Sequence, residues 1–238
     1  DSRAIQIWKK PVAVMVDRYS ASASEIFAGA IQDYQRGIII GQKTYGKGTV
    51  QTLDNLSSGQ IKITESKFYR ITGSGMQNKG IHPDIVLPST WDIEEIGESS
   101  YDTALPWDQI KPVRFQKFFM DSSIISELKN LHITRVKENP NLQYLLSIRE
   151  RYELQKNKNE ISLNIDSRKH EREERQIWAL DLENKRRSSL NLEIFNSYKA
   201  MEDFKELKEK EDKNLEINID DDYLLDEGIQ ILSDFMML

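Results

Sequence analysis

The chain has 238 residues, of which 38% are apolar and 30% charged, with a formal net charge of −6 and no cysteine. That balance describes a globular, mildly acidic polypeptide and supplies no basic stripe for nucleic acid. Disulfides, thiolate metal sites and a cysteine nucleophile are excluded, and no apolar run approaches the ~18 residues of a membrane span.

The sequence opens DSRAIQIWKKPVAVMVD, with no initiator Met and no signal-peptide pattern, which reads as a boundary or as a start inside a larger protein. PVAVMVD (11–17) is short, apolar and Val-rich, a buried-type strand. SEIFAGAIQDY (24–34) places Ile26, Ala30 and Tyr34 at helical spacing with Phe27 and Ile31 beside them, and predicts an amphipathic helix. GIIIGQ (37–42) is a second buried strand, so the three elements form a βαβ unit with parallel strands. KGTVQTL (47–53) is β-branched, SSG (57–59) is a turn, QIKITESKFYRI (60–71) alternates as a strand, and IHPDIVLP (81–88) is a short extended segment between prolines.

Composition then changes. Ten of the 11 glycines lie in residues 1–107, which carry 11 Lys/Arg and 12 Asp/Glu against 22 and 27 in the remainder. The expected organisation is an α/β region over 1–107, a mixed sheet with a βαβ unit, followed by an all-helical domain over 108–238, divided near LPWDQIKP (105–112). Helices are expected in NPNLQYLLSIRERYELQK (139–156), with Pro140 near its start, and in the charged stretch 167–198. Another is expected in NIDDDYLLDEGIQILSDFMML (218–238), after an acidic capping stretch. Such helices usually pack or dock partners rather than catalyse.

GQKTYGKGTVQ (41–51) begins like a phosphate loop, with Gly41, four residues, Gly46 and Lys47. That loop needs Ser or Thr after the lysine and then a helix; here Gly48 follows, and Thr49-Val50-Gln51-Thr52 favours a strand. In a strand, Lys47, Thr49 and Gln51 share a face, where a glutamine can hydrogen-bond an amine and fix its orientation. A lysine so held suits a base, and a base needs a nucleophile. RYSASASEIFAGA offers Ser20, Ser22 and Ser24. Ser22-x-x-Glu25 is a capping box, so Ser22 could be a helix cap; the same strand-to-helix turn would also expose its hydroxyl beside a helix N-terminus. A Ser-His-Asp triad is poorly supported, since His132 and His170 lie in the helical part and His82 precedes Pro83. Ser126-Glu127-Leu128-Lys129 fits SxxK, but its partner motifs SDN and KTG are absent.

SASASEIFAGAIQDY, IIIGQKTYGKGTVQ and KFYRITGSGMQNKGIHPDIVLP, in that order and spacing, together resemble the tail-specific (C-terminal-processing) peptidases, bacterial serine endopeptidases with a Ser-Lys dyad. ALPWDQI and the Lys/Glu-rich helical region are similar to the larger, periplasmic branch. The resemblance implies the C-terminal half of a protease core followed by a helical domain. It implies Ser22 as nucleophile, Lys47 as general base 25 residues later, Gln51 orienting Lys47, and the Ala23 backbone N–H as first oxyanion donor. Lys47 must be neutral to take the Ser22 proton, and burial disfavours a lysine's charged form. No metal or cofactor is implied. Implied partners are proteins or peptides with apolar C-termini and a lipoprotein adaptor, with no nucleic acid and no transmembrane span, in the periplasm, including its inner-membrane face.

The family's N-terminal helical region, PDZ domain and first core half, with the glycine-rich segment giving the second oxyanion donor, have no counterpart in this sequence. The expectation is that the 238-residue chain alone is weakly active or inactive and that its sheet has an exposed edge. Two other readings compete: a non-catalytic remnant docking partners through its helices, and a nucleotide-binding protein.

Overall fold

Ala13–Val16 (β1) and Ile38–Gly41 (β2) run parallel, with Ala13 opposite Ile38 and Val16 opposite Gly41. Between them lies the helix Ala23–Asp33 (α1), so the expected βαβ unit is present. This computed structural model describes residues 8–89, 95–118, 121–156, 158, 160–212 and 222–238. β2 is buried along its whole length, as an uninterrupted apolar run at the centre of a parallel sheet should be. Its other edge pairs with Ile85–Val86 (β5), also in parallel, giving the order β1-β2-β5. Asp84 fixes that approach: its carboxylate accepts the Ile39 N–H at 2.8 Å and a Gln32 amide proton at 3.0 Å.

The core joins Val16, Ala28, Ile39, Met76 and Ile81, with Val14, Ile31 and Phe68 against it. Each fully buried aliphatic side chain there contributes on the order of 2 kcal/mol. The buried stripe of α1 differs from the predicted one: it holds Glu25, Ala28, Gly29 and Asp33, while Ile26 and Phe27 are exposed. The reason is pairing. Asp33 takes two bonds from the Arg70 guanidinium at 2.5 and 2.9 Å, and Glu25 is saturated by donors described below.

A second sheet is the hairpin of Thr49–Asn55 (β3) and Gln60–Lys67 (β4), antiparallel, with its register shifting between Val50 and Gln51. β3 therefore begins two residues later than the predicted strand, and Lys47 sits in the loop feeding it.

Beyond residue 120 the regular elements among the described residues are helices: Ser122–Glu138 (α2), Pro140–Lys156 (α3), Ile165–Ser189 (α4), Tyr198–Asp212 (α5) and Tyr223–Met237 (α6). The fold is thus mixed α/β followed by helices. α3 starts as its sequence predicts: Asn139 Oδ1 accepts the N–H groups of Asn141 and Leu142, and Pro140 fills the first helical position. The stretch 167–198 is not one helix; α4 ends at Ser189, and Asn191 takes a positive φ of 55°. The acidic cap of α6 resolves to Asp222, whose carboxylate accepts Leu224 and Leu225 N–H groups; residues 218–221 lie outside the described ones.

The chain divides into two compact units. One holds residues 1–87, 91–132 and 227–238; the other holds 88–90 and 133–226. The composition boundary at 107/108 falls inside the first. No helix of the described residues is long and apolar enough to cross a membrane.

Candidate active site

α1 starts at a strained corner. Ser22, its N-cap, has φ 56° and ψ −115°, a left-handed conformation costly for a residue with a side chain. The Ser-x-x-Glu capping box is formed, and the Ser22 N–H donates to Glu25 Oε2 at 2.9 Å. The Ala23 N–H, in the first helical turn, makes no hydrogen bond among the described residues.

Glu25 does more than cap. It is fully buried and accepts the Lys47 N–H at 2.9 Å, the Gly46 N–H at 2.7 Å and the Thr44 hydroxyl at 2.5 Å. One carboxylate therefore ties the Ser22 backbone to the Lys47 backbone across 25 residues of sequence. Thr44 Oγ1 in turn accepts the Ile81 N–H at 2.7 Å, and the Thr44 carbonyl accepts Arg18 Nη1 at 2.5 Å. Arg18 is buried, and desolvation draws its pKa below the usual arginine value, partly offset by the nearby Glu25 charge.

The glycines around Lys47 exist for packing. Gly46 has φ +91°, and a Cβ on Gly48 would stand 2.5 Å from the Gln77 backbone nitrogen. Gln77 Oε1 accepts the Gly48 N–H at 2.9 Å, and Gly46 accepts the Asn78 N–H at 2.9 Å. The phosphate-loop reading fails on the same geometry. The Gly46 and Lys47 N–H groups that would cradle a phosphate already face a carboxylate, which repels an anion.

Lys47 is half-buried and lines an open cleft of about 520 Å³. Ala21, Thr49, Gln51, Lys62 and Thr64 line it too, so Lys47, Thr49 and Gln51 border one cleft, although Lys47 lies outside the strand on which a shared face was expected. Tyr45, Gln77, Glu98, Tyr101, Thr103, Ala104 and Leu105 complete its lining. Gln51 Nε2 donates to Thr64 Oγ1 at 3.3 Å. Lys47 Nζ, Ser22 Oγ and the Gln51 amide share no direct hydrogen bond among the described residues, and Ser22 is not among the residues lining the cleft. Tyr45 OH lies 3.4 Å from Tyr101 OH, and that contact, then burial, push the Tyr45 hydroxyl up to about 12.

The histidines stand elsewhere. His132 is buried against Glu227 at 2.8 Å, and His170 contacts Glu174 at 3.3 Å. His82 is exposed at its residue surface, and burial of its ring with nearby Lys43 and Arg18 lowers its pKa. Ser126 and Lys129 are exposed on α2. Sequence reasoning gave Glu25 only as a capping partner and missed Thr44, Gln77 and the 98–105 wall. The Ser-x-x-Glu spacing was the one available signal for Glu25.

Comparison with known proteins gives two family models. Residues 1–87 match peptidase family S41, and residues 91–237 match the C-terminal domain of tail specific protease. A tail-specific protease of Haemophilus influenzae is 35% identical over 256 aligned residues, covering 100% of this chain and 34% of that protein. A carboxy-terminal-processing protease of Bartonella bacilliformis is 46% identical over 80 residues, 33% of this chain and 18% of its own length. The solved photosystem II D1 C-terminal processing protease aligns at 41% identity and a TM-score of 0.31, covering 32% of this chain and 20% of its own. The chain thus spans about a third or less of the length of these relatives. With two adjoining family models together reaching from residue 1 to residue 237, the chain belongs to the tail-specific, or C-terminal-processing, protease family.

Proposed function

We propose that this chain carries the nucleophile and general base of a serine endopeptidase, Ser22 and Lys47. The observation that carries this is the buried Glu25 carboxylate, which accepts the backbone N–H of both residues and so fixes two distant positions to one anchor. Strain at Ser22 agrees with it, since φ 56° on a serine is kept only where the surroundings enforce it.

In this reading neutral Lys47 takes the Ser22 proton as Oγ attacks a peptide carbonyl. The free Ala23 N–H at the start of α1 donates to the oxyanion, helped by the helix dipole. Lys47 then gives its proton to the leaving amine, and water, activated by Lys47, hydrolyses the acyl-enzyme. Gln51, lining the same cleft, orients the lysine when substrate closes the site. Substrates chosen by apolar C-termini, a lipoprotein adaptor and a periplasmic setting extend the proposal by family resemblance.

The test is peptide cleavage and fluorophosphonate labelling of the full gene product. Ser22→Ala and Lys47→Ala are each expected to lower the rate by roughly a thousandfold or more. Unlabelled wild type, or Ser22→Ala retaining full labelling, would sink the reading in favour of a docking module.

A further inference from the structure

The family model assigns residues 91–237 to the C-terminal domain, yet part of that stretch lies against the candidate dyad's loops. The Glu98 N–H donates to the Tyr45 carbonyl at 3.0 Å, and Gln77 Nε2 donates to Glu98 Oε1 at 3.0 Å. Asn78 Nδ2 donates to the Leu105 carbonyl at 3.1 Å, and Lys67 Nζ to the Pro106 carbonyl at 2.9 Å. Trp107 Nε1 reaches the Gly75 carbonyl at 2.8 Å, and its ring lies under Lys79 Nζ at 3.2 Å. These bonds hold residues 98–107 as a strap across the loops that carry Lys47 and Gln77.

The strap brings three side chains with apolar surface to the cleft, beside its polar Glu98 and Thr103. Tyr101 and Leu105 are 58% and 42% exposed, and Ala104 is half-buried between them. All three line the cleft that also holds Lys47 and Ala21, the residue before Ser22. At about 520 Å³ the space is of ligand-pocket size. Lys47 and Lys62 with Glu98 put both signs of charge on its lining, so neither a cationic nor an acidic side chain is favoured there.

We infer that the strap is a specificity wall: Tyr101, Ala104 and Leu105 receive an uncharged, bulky aliphatic or aromatic side chain of the substrate, next to the scissile bond. The inference rests on the Ser22–Lys47 reading. It gives the start of the C-terminal family segment a part in substrate selection.

The experiment uses the full gene product and peptides bearing Ala, Leu, Phe or Glu on either side of the cleaved bond. Ala104→Trp fills the cleft and is expected to lower the Leu-to-Ala ratio of kcat/KM about tenfold or more. Leu105→Ala enlarges it and should raise the Phe-to-Ala ratio several-fold, while Glu peptides remain poor for all forms. Fluorophosphonate labelling scores the dyad separately. Absent wild-type labelling defeats the dyad reading. Persistent labelling with ratios within about twofold of wild type in both variants overturns the wall. Should Ala104→Trp lose labelling, the milder Leu105→Ala decides alone.

Discussion

Two buried carboxylates, one in each compact unit, are held in opposite ways. Glu25 in the first unit takes three backbone N–H groups and a hydroxyl. Glu183 in the second, on α4, takes a forked pair of bonds from Arg186 at 2.6 and 2.9 Å, with Arg187 at 3.9 Å. Arg186 also reaches Asn141 Oδ1 at 2.9 Å and lies over the rings of Tyr144 and Tyr223. Glu183 therefore balances a charge within α4, whereas Glu25 fixes where the main chain runs. A carboxylate used as an anchor for backbone sets the geometry of side chains it never touches.

Breaking the anchor is expected to have the largest effect. Glu25→Ala leaves several buried donors without an acceptor, and should cost about 3 kcal/mol or more in urea unfolding. Ser22 labelling should slow by roughly a hundredfold through misplaced backbone. If Glu25→Ala labels at the wild-type rate, the anchor has no catalytic consequence. Glu183→Ala comes next, with an expected loss of about 2–3 kcal/mol because the half-buried Arg186 keeps only Asn141 and its aromatic neighbours. The contrast is in the readout: its labelling rate should stay unchanged at temperatures below unfolding. Gly48→Ala sharpens the comparison from the loop side. Its new Cβ meets backbone, not a flexible side chain, so a loss of about 2 kcal/mol with a matching fall in labelling is expected. The smallest effect belongs to Asn164→Ala. Asn164 Oδ1 caps α4 by accepting the Asp166 and Ser167 N–H groups, and its removal should lower thermal stability by about 1 kcal/mol without touching the site.

Much of the first unit was legible because its signals are local. The apolar runs at 11–17 and 37–42 gave two parallel strands, and Gly48 with a β-branched run after it excluded the phosphate loop. The period of a strand set Lys47 and Gln51 on one face, but Lys47 lies in the loop before β3 and the register shifts ahead of Gln51, so their nearness at the cleft does not come from that period. What stayed hidden depends on partners far along the chain. Periodicity put Ile26 and Phe27 inward on α1, but Glu25 and Asp33 are buried because Thr44, Lys47 and Arg70 satisfy them. The strap at 98–107 has no regular pattern; its course is set by bonds to Tyr45, Gln77 and Asn78. In the helical region the end of α4 escaped notice, since Asn191 turns the chain where neither Gly nor Pro marks a break.

The last helix returns to the first unit. Glu227 is bonded to His132, and Gly228 lies so close to β1 that an added Cβ would stand 2.7 Å from Met15 Sδ. A contact between positions 15 and 228 cannot form until nearly all of this sequence has been synthesised. Joining positions so far apart in sequence closes a long loop, at an entropic cost that contacts between neighbouring residues do not carry.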